Sequence, residues 1–278
     1  MLGLSAAFLF AAQMINFPVA GGTSGHLIGG ALISVLLGPA AAVVVVAAVL
    51  IVQCLLFADG GLLALGANIF NMGIVATVSG FVVARLVQSV LPGLRGRVAG
   101  MAFAGWCSAV LASLGCAAEL AWSGTVSWDV ALPAMVGVHM LIGIGEGTIS
   151  ALVLLAVLRT RPVLVDGGTG HPGGAQRGLF ALGLLAIIGM ALFVAPFACQ
   201  WPDGLEAVAS RLGFERQATA PLAHAPVSGY LMPGVHSRML ATGLAGAAGA
   251  LAALGLAVLL SRLLVREKQP AAEAADPV

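Results

Sequence analysis

The most informative property of this 278-residue sequence is how little charge it carries. Only 8% of its residues are Asp, Glu, Lys or Arg, whereas an average soluble domain has about 25%. Hydrophobic residues make up 60% of the chain, and the mean hydropathy is +1.07. So few charges could not cover a soluble surface, which excludes a cytosolic enzyme, a nucleic-acid-binding protein and a disordered chain. The composition indicates a polytopic α-helical protein embedded in the lipid bilayer.

Lysine and cysteine are also scarce. A nucleotide-binding P-loop needs a lysine in the pattern G-x-x-x-x-G-K-[ST], but the only lysine is Lys268 and no glycine-rich stretch contains it. The chain therefore has no ATPase motif, and ATP-driven transport would need a partner ATPase. The hydrolase and zinc-protease motifs G-x-S-x-G and H-E-x-x-H are missing, so we predict neither an enzyme nor a bound organic cofactor. No C-x-x-C pair is formed by the four cysteines, Cys54, Cys107, Cys116 and Cys199.

Eight apolar runs appear along the sequence, and a membrane-spanning helix needs roughly 20 residues. They lie at about 2–20, 27–37, 39–58, 62–90, 98–122, 130–158, 179–198 and 239–265. Gly38-Pro39 interrupts the stretch 27–58 because proline cannot continue a helical hydrogen-bond ladder, which predicts a half-helix followed by a full span. The predicted fold is all-α: a polytopic transmembrane bundle followed by a C-terminal two-helix module with an external loop.

A glycine-rich segment divides the sequence. Residues 1–160 form the predicted transmembrane domain, 161–178 a cytoplasmic linker, and 179–278 the two-helix module, whose external loop spans 199–238. If each apolar run crosses, nine of the twelve Arg and Lys residues fall on one side of the membrane and three on the other. The excess of basic residues marks the cytoplasmic side. Both termini are then cytoplasmic, and the loop 21–26 is external.

The first of three polar motifs is Gly21-Gly-Thr-Ser-Gly-His-Leu-Ile-Gly-Gly30, a glycine-rich turn. It presents His26 at the external mouth of the half-helix, with Thr23, Ser24 and Gly25 as supporting residues. A neutral imidazole is a common ligand of divalent transition metals, and glycines let the backbone approach a small ion. The alternative is a tight turn with a histidine at the membrane interface, because one histidine alone does not make a metal site.

The second motif, residues 59–73, places Asn68 and Asn71 at the helical spacing i, i+3. Amides inside a bundle commonly hydrogen-bond neighbouring helices, which is the simpler interpretation. In the sharper interpretation, the two amides lie behind a metal-ligating His26 and orient its ring.

The third motif contains His139 and Glu146, seven residues apart and therefore on one helix face. Ionisable residues inside a membrane helix indicate a functional site and need partners. They predict either an intramembrane polar network that holds the bundle together or the proton pathway of a proton-coupled carrier. The remaining histidines are predicted to be solvated, in the linker and in the external loop: His171, His224 and His236.

The run Ala11-Ala-Gln-Met-Ile-Asn-Phe-Pro-Val-Ala-Gly-Gly-Thr-Ser-Gly-His-Leu-Ile-Gly-Gly30 resembles a transporter family. This is the CbiM/NikM family, the membrane substrate-binding component of cobalt and nickel energy-coupling-factor transporters. The other two motifs resemble it as well, and the resemblance covers about residues 1–160. Trp201-Pro-Asp-Gly-Leu-Glu206 is similar to the PDGLE module that accompanies these proteins or is fused to them. The whole chain thus resembles a fused NikMN-type subunit.

The resemblance implies uptake of Ni(II) or Co(II), as transported substrate, across a bacterial cytoplasmic membrane, for nickel enzymes or cobalamin biosynthesis. A transmembrane coupling protein and cytoplasmic ATPase subunits would drive release inward. By motif, His26 matches the family's loop histidine ligand, and Asn68 and Asn71 match its supporting asparagines. Two alternatives stay open: a proton-coupled secondary transporter that uses His139 and Glu146, and a degenerate remnant that binds no metal.

One departure from the family pattern concerns the metal ligands. Family members begin with Met-His-Ile at an external N-terminus, followed by an extra helix. The terminal amine, a backbone nitrogen and that histidine complete a square-planar-type nitrogen site, a geometry that favours Ni(II) or Cu(II) over zinc. This sequence starts Met1-Leu-Gly in what would be the family's second helix. We expect an upstream start that restores the helix; the alternative is a form with His26 alone.

Overall fold

The computed structural model describes residues 1–161, 174–219 and 224–264. Most of the linker predicted at 161–178 lies outside the described residues, as do His171 and Lys268. Within the described ranges the chain is almost entirely helical, which confirms the all-α prediction. The only strands there form one short hairpin.

The first part of the chain contains α1 (Leu2–Gln13), β1 (Phe17–Val19), β2 (Thr23–Gly25), α2 (Gly30–Leu37), α3 (Pro39–Phe57), α4 (Gly61–Asn68), a π-helix (Ile69–Val75), α5 (Ala76–Val90), α6 (Gly93–Trp122) and α7 (Trp128–Thr160). The second part contains α8 (Gly174–Phe193), α9 (Gly204–Leu212) and α10 (Arg238–Leu264), with short 3-10 turns at Ala195–Phe197, Phe214–Gln217 and Ser228–Tyr230.

Six helical segments of the described chain are long and apolar enough to cross a membrane: Pro39–Phe57, Gly61–Val90, Gly93–Trp122, Trp128–Thr160, Phe180–Phe197 and Arg238–Leu264. The first four belong to the N-terminal part and the last two to the C-terminal part. A segment of this length and hydropathy matches the thickness of the hydrocarbon core. The chain is therefore a multi-pass membrane protein.

The first apolar run, residues 2–20, does not form the membrane-spanning helix that its length predicts. The helix α1 has 12 residues, and the chain then turns into an antiparallel hairpin in which Phe17 pairs with Gly25 and Val19 with Thr23. Pro18, which lacks an N–H, excludes a continuous helix through this segment. Hydropathy alone could not reveal the hairpin, since Phe17 and Val19 are as apolar as the helix before them.

The break between α2 and α3 lies where the sequence predicts it. Gly38 has φ 86° and ψ 155°, outside the helical region, so the helical hydrogen bonds stop there. Pro39 begins α3, at a position where a helix does not use the missing N–H. The result is an eight-residue half-helix followed by a 19-residue span, and the half-helix packs against α3 and α5.

The loops lie at two ends of the bundle. The hairpin end comprises the hairpin, the turns after α3 and α6, and the segment between α8 and α10. These pieces contact one another: the N–H of Cys199 donates to the carbonyl of Asn16, and the N–H of Val227 donates to the carbonyl of Leu56, both at 2.9 Å. The opposite end comprises the Gly38 break, the turn between α5 and α6, and the C-terminal ends of α7 and α10.

The two parts of the chain share one apolar core. The helices α1 and α3 pack against α10, and α8 packs against α1 and α10. Phe10 and Phe57 are buried at this junction, with ring centroids 5.3 Å apart. Small residues of α10, among them Ala245, Gly249 and Ala253, are also buried there and permit the close approach of helices that is typical of membrane bundles.

Candidate metal centre

His26 lies between the hairpin and α2 and is half-buried at the hairpin end. Its Nδ1 is 3.4 Å from the carbonyl oxygen of Leu27, a long contact. Within the described parts of the chain, its Nε2 has no hydrogen-bond partner. A neutral imidazole that directs Nδ1–H towards a carbonyl keeps the Nε2 lone pair for a metal ion, which is the usual arrangement of histidine ligands.

Glu146 of α7 holds the backbone that follows His26. Its carboxylate accepts hydrogen bonds from the N–H of Ile28, at 2.6 Å, and of Gly29, at 2.9 Å. The side chain is completely buried. These two N–H groups precede α2, where helical N–H groups lack partners and the helix dipole favours a negative charge. Glu146 therefore fixes the peptide groups next to the candidate ligand.

Gly29 allows the chain to turn from this loop into α2. It has φ 74°, in the left-handed region that glycine adopts without steric cost. A Cβ at this position would lie 2.2 Å from Cδ1 of Leu9, which is shorter than any real contact. Both the backbone conformation and the proximity of α1 therefore require glycine here.

Two glutamines hold the same loop from the other side. The carbonyl of Ile28 accepts a hydrogen bond from Nε2 of Gln13, at 3.0 Å, and Oε1 of Gln13 accepts one from Nε2 of Gln53, at 2.9 Å. Both side chains are only 6% exposed. The sequence analysis missed them, although two glutamines in otherwise apolar runs are themselves a signal, since a buried amide needs a partner.

The hairpin also contacts the C-terminal part of the chain. The N–H of Ser24 donates to the carbonyl of Pro202, and its Oγ donates to the carbonyl of Trp201, both at 2.8 Å. Oγ1 of Thr23 donates to the carbonyl of Pro202 at 3.0 Å. Ser24 and Thr23 are buried. The residues predicted to support the metal loop are therefore covered by the segment that begins the PDGLE-like motif.

This covering segment is itself ordered by a capping box. Oδ1 of Asp203 accepts the N–H of Glu206 at 2.8 Å, and Oε2 of Glu206 accepts the N–H of Asp203 at 3.1 Å, which starts α9. Burial, with the charge of Asp203, raises the pKa of Glu206. Further along α9, Nη2 of Arg211 donates to the carbonyl of Gly21 at 2.6 Å. The helix therefore lies against the turn of the hairpin.

A second connection between the two parts lies after α3. The hydroxyl of Tyr230 donates to Oδ2 of Asp59 at 2.5 Å, and its ring stacks on Phe57 with centroids 4.7 Å apart. Burial and the charge of Asp59 raise the pKa of Tyr230 well above its usual value. The loop before α10 is thus anchored to the turn that follows α3.

His139 and Glu146 have separate partners. Nδ1 of His139 is 2.8 Å from the carbonyl oxygen of Met135, and its ring lies against Gly204, where a Cβ would be 2.9 Å from Nε2. In the described chain the two side chains do not hydrogen-bond each other, because seven residues correspond to about 10 Å along a helix. Glu146 contacts the loop of His26, whereas His139 contacts the start of α9.

The two asparagines lie on different helical elements. Asn68 ends α4, and Asn71 belongs to the π-helix, so the spacing i, i+3 does not have its usual α-helical meaning. Nδ2 of Asn71 donates to Oε2 of Glu119 on α6 at 2.8 Å, while the amide of Asn68 lies against Gly60. The bond of Asn71 joins neighbouring helices, and the role of both asparagines behind His26 stays a prediction.

No three His, Cys, Asp or Glu side chains come together as a ready-made metal site in the ranges that the structure covers. His224 and His236 are exposed, and His171 lies outside the described residues. Within the described residues, a metal ion bound by His26 would therefore need at least some donors of another class, such as backbone or amine nitrogens or water.

Comparison with known proteins gives the family. The model of CbiM, the cobalt uptake substrate-specific transmembrane region, matches residues 1–164, and that of the PDGLE domain matches residues 177–266. A protein of Archaeoglobus fulgidus that bears the name of a fused nickel transport protein, NikMN, is 36% identical over 270 residues, which cover 94% of this chain and 85% of the relative.

Two further relatives agree. The fused nickel transport protein NikMN of Rhodobacter capsulatus is 31% identical, over 86% of this chain and 73% of its own length. A crystal structure of a transition metal transporter is 33% identical, with a TM-score of 0.52, over 60% of this chain and 80% of that one. The chain therefore belongs to the CbiM family, and its second part matches the PDGLE domain.

Proposed function

We propose that this chain is the metal-specific membrane subunit of an ATP-driven importer of the energy-coupling-factor type. Its substrate is Ni(II) or Co(II), for nickel enzymes or cobalamin biosynthesis. The observation that carries the proposal is the loop of His26, whose neighbouring peptide groups are held by Glu146 and Gln13 while Nε2 stays available. Relatives named for nickel and for cobalt transport support the same substrate class.

His26 is the proposed metal ligand, through Nε2. Thr23, Ser24 and Gly25 shape the strand that leads into it, and Asn68 and Asn71 support the hairpin end from the neighbouring helices. Imidazole and other nitrogen donors suit both Ni(II) and Co(II). Both ions are therefore proposed substrates, and metal titration compares their affinities.

The proposed domains are a metal-binding region at 1–160, a linker at 161–178 and a PDGLE region at 179–278, whose loop 199–238 covers the metal loop. The hairpin end faces outwards, and the opposite end, with the C-terminus, faces the cytoplasm of a bacterial inner membrane. The distribution of arginines supports this orientation, since the opposite end carries Arg85, Arg95, Arg97, Arg159, Arg161 and Arg262. A transmembrane coupling protein and ATPase subunits join there, because this sequence has no ATPase motif.

The geometry favours this function over a proton-coupled carrier. Glu146 is engaged by two backbone N–H groups, and His139 faces α9, so the pair has no direct contact through which a proton would pass. Metal uptake that requires the ATPase subunits and survives dissipation of the proton gradient is the expected result. Uptake without those subunits, lost with the gradient, would assign the chain to the carrier class.

Metal titration tests the role of His26. Isothermal titration of the purified protein, and of the longest reading frame that contains it, should show tight binding of Ni(II), Co(II) or both. His26→Ala should abolish this binding, because it removes the one imidazole of the loop. His171→Ala and His236→Ala, which change predicted solvated histidines, should bind as the wild type does. Equal binding by His26→Ala and the wild type would refute the assignment.

A further inference from the structure

The opposite end of the bundle contains a partly enclosed cavity of about 110 Å³ between α2, α5, α6 and α7. It is much larger than the ~15 Å³ that a single water molecule needs. Two guanidinium groups, one carboxamide and three apolar side chains line it: Arg85, Arg97, Gln88, Val35, Phe81 and Leu154. None of these residues belongs to the metal loop or contacts it through a hydrogen bond described above.

The polar side chains of this cavity are arranged to donate hydrogen bonds. The guanidinium of Arg85 lies over the ring of Phe81, 5.3 Å from its centroid, which orients it. Gln88 follows Arg85 by three residues and shares its side of α5, while Arg97 approaches from α6. Arg97 makes another interaction, but a guanidinium has five N–H donors and can bind more than one acceptor.

The lining specifies an anion with several acceptor oxygens. Arginine forks bind phosphate and carboxylate groups in a bidentate manner, and no carboxylate is found among the described residues that line the cavity. Val35 and Leu154 form the apolar part of the lining. An aliphatic group attached to the anion would contact them. Arg85 and Arg97 lie near the ends of two membrane-spanning helices, where a phospholipid headgroup is located. Basic pockets between transmembrane helices at this level bind such headgroups.

We propose that this cavity binds the phosphate group of an anionic phospholipid, with Arg85, Gln88 and Arg97 as its ligands. The site is distinct from metal binding, since it lies at the other end of the bundle. It secures the turn between α5 and α6 to the membrane surface on the side where partner subunits join.

Native mass spectrometry of the delipidated full chain in detergent tests the site. Phosphatidylglycerol should bind one molecule per chain and more tightly than phosphatidylcholine. Arg85→Gln and Arg97→Gln should each weaken retention about fivefold, and the double variant roughly 30-fold, because each removes one guanidinium that lines the cavity and donates to the phosphate. Arg95→Gln is the matched control, since Arg95 is an exposed arginine of the same helical turn that does not line the cavity.

The outcomes separate the sources of the phosphate. Binding of inorganic phosphate but of neither lipid, lost in the double variant, would support the phosphate site and make free phosphate its ligand. Retention of phosphatidylglycerol by the double variant, or equal loss in Arg95→Gln, would overturn the proposal. Unchanged lipid retention together with lost association of the coupling protein would reassign the arginines to a protein contact. A thermal unfolding midpoint in detergent equal to that of the wild type verifies folding. If the double variant fails to fold, the single variant Arg85→Gln is measured alone.

Discussion

The two ends of the bundle are stabilised in different ways. At the hairpin end, segments far apart in the sequence are joined by hydrogen bonds to the backbone, as between Glu146 and Ile28 or between Ser24 and Trp201. At the opposite end, consecutive helices are joined by short breaks such as Gly38, and the charged side chains that the structure describes there are arginines. The carboxylates of the described chain other than Glu146 lie in or beside the loops of the hairpin end: Asp59, Glu119, Asp129, Asp203, Glu206 and Glu215.

This difference shows what the buried polar groups do. A buried polar side chain destabilises a fold unless it is hydrogen-bonded, and apolar residues would pack the same space without that cost. Glu146, Gln13 and Gln53 are buried nonetheless, and the bonds of Glu146 and Gln13 end on the peptide groups beside His26. Their role is to fix a loop rather than to fill the core. Their removal should therefore impair metal binding as well as the stability of the bundle.

Glu146→Ala should have the largest effect at the hairpin end. It leaves the N–H groups of Ile28 and Gly29 buried without acceptors, at about 1–3 kcal/mol each. The loop would move away from its position, and we expect Ni(II) affinity to fall about 10- to 100-fold, the range found when residues that orient a ligand are removed. Isothermal titration measures the affinity, and thermal unfolding in detergent measures the accompanying loss of stability.

The matched control for this prediction is Ser150→Ala. Ser150 lies one turn further along α7, is fully buried, and has an Oγ without a hydrogen-bond partner in the described chain. Its removal should leave both affinity and stability near wild type. The Ni(II) affinity of Glu146→Gln should fall between those of the two alanine variants. Its amide has one acceptor oxygen, whereas the carboxylate accepts one N–H group on each of two oxygens. Wild-type affinity in Glu146→Ala would show that the loop does not depend on this carboxylate.

Gln13→Leu should have the next largest effect. It leaves the carbonyl of Ile28 without its donor and the amide of Gln53 without one of its acceptors, and we expect an affinity loss of about tenfold from these unsatisfied buried groups. The double variant Gln13→Leu/Gln53→Leu should bind Ni(II) no more weakly than Gln13→Leu, because the remaining hydrogen bond of Gln53, to Tyr230, lies away from the loop of His26. Titration of Gln13→Leu, Gln53→Leu and the double variant gives the coupling energy between the two side chains. Losses that simply add would show that the glutamines act independently.

The later spans and the helix break could be predicted from the sequence, whereas the hairpin within the first apolar run and the partners of the polar residues could not. Hydropathy and Gly38-Pro39 are local signals, and they indicated the half-helix before α3. The bond between Glu146 and Ile28 joins residues 118 positions apart, and that between Ser24 and Trp201 joins residues 177 apart. The spacing predicts His139 and Glu146 on one helix face. Which residues they contact depends on the packing of other elements: the loop before α2 for Glu146 and the start of α9 for His139.

Ser24→Ala should have a smaller effect than Glu146→Ala or Gln13→Leu. It removes the bond from Oγ to the carbonyl of Trp201, worth about 1 kcal/mol, but keeps the bond from its N–H to Pro202. The covering segment should open more often, so backbone hydrogen exchange in α9 should become roughly fivefold faster. Ser79→Ala, whose Oγ bonds only carbonyls of its own helical segment, should leave it unchanged. Equal hydrogen exchange of α9 in Ser24→Ala and Ser79→Ala would mean that the Ser24 hydroxyl does not stabilise the covering segment. The difference between the two ends would then depend on Glu146 and the two glutamines alone.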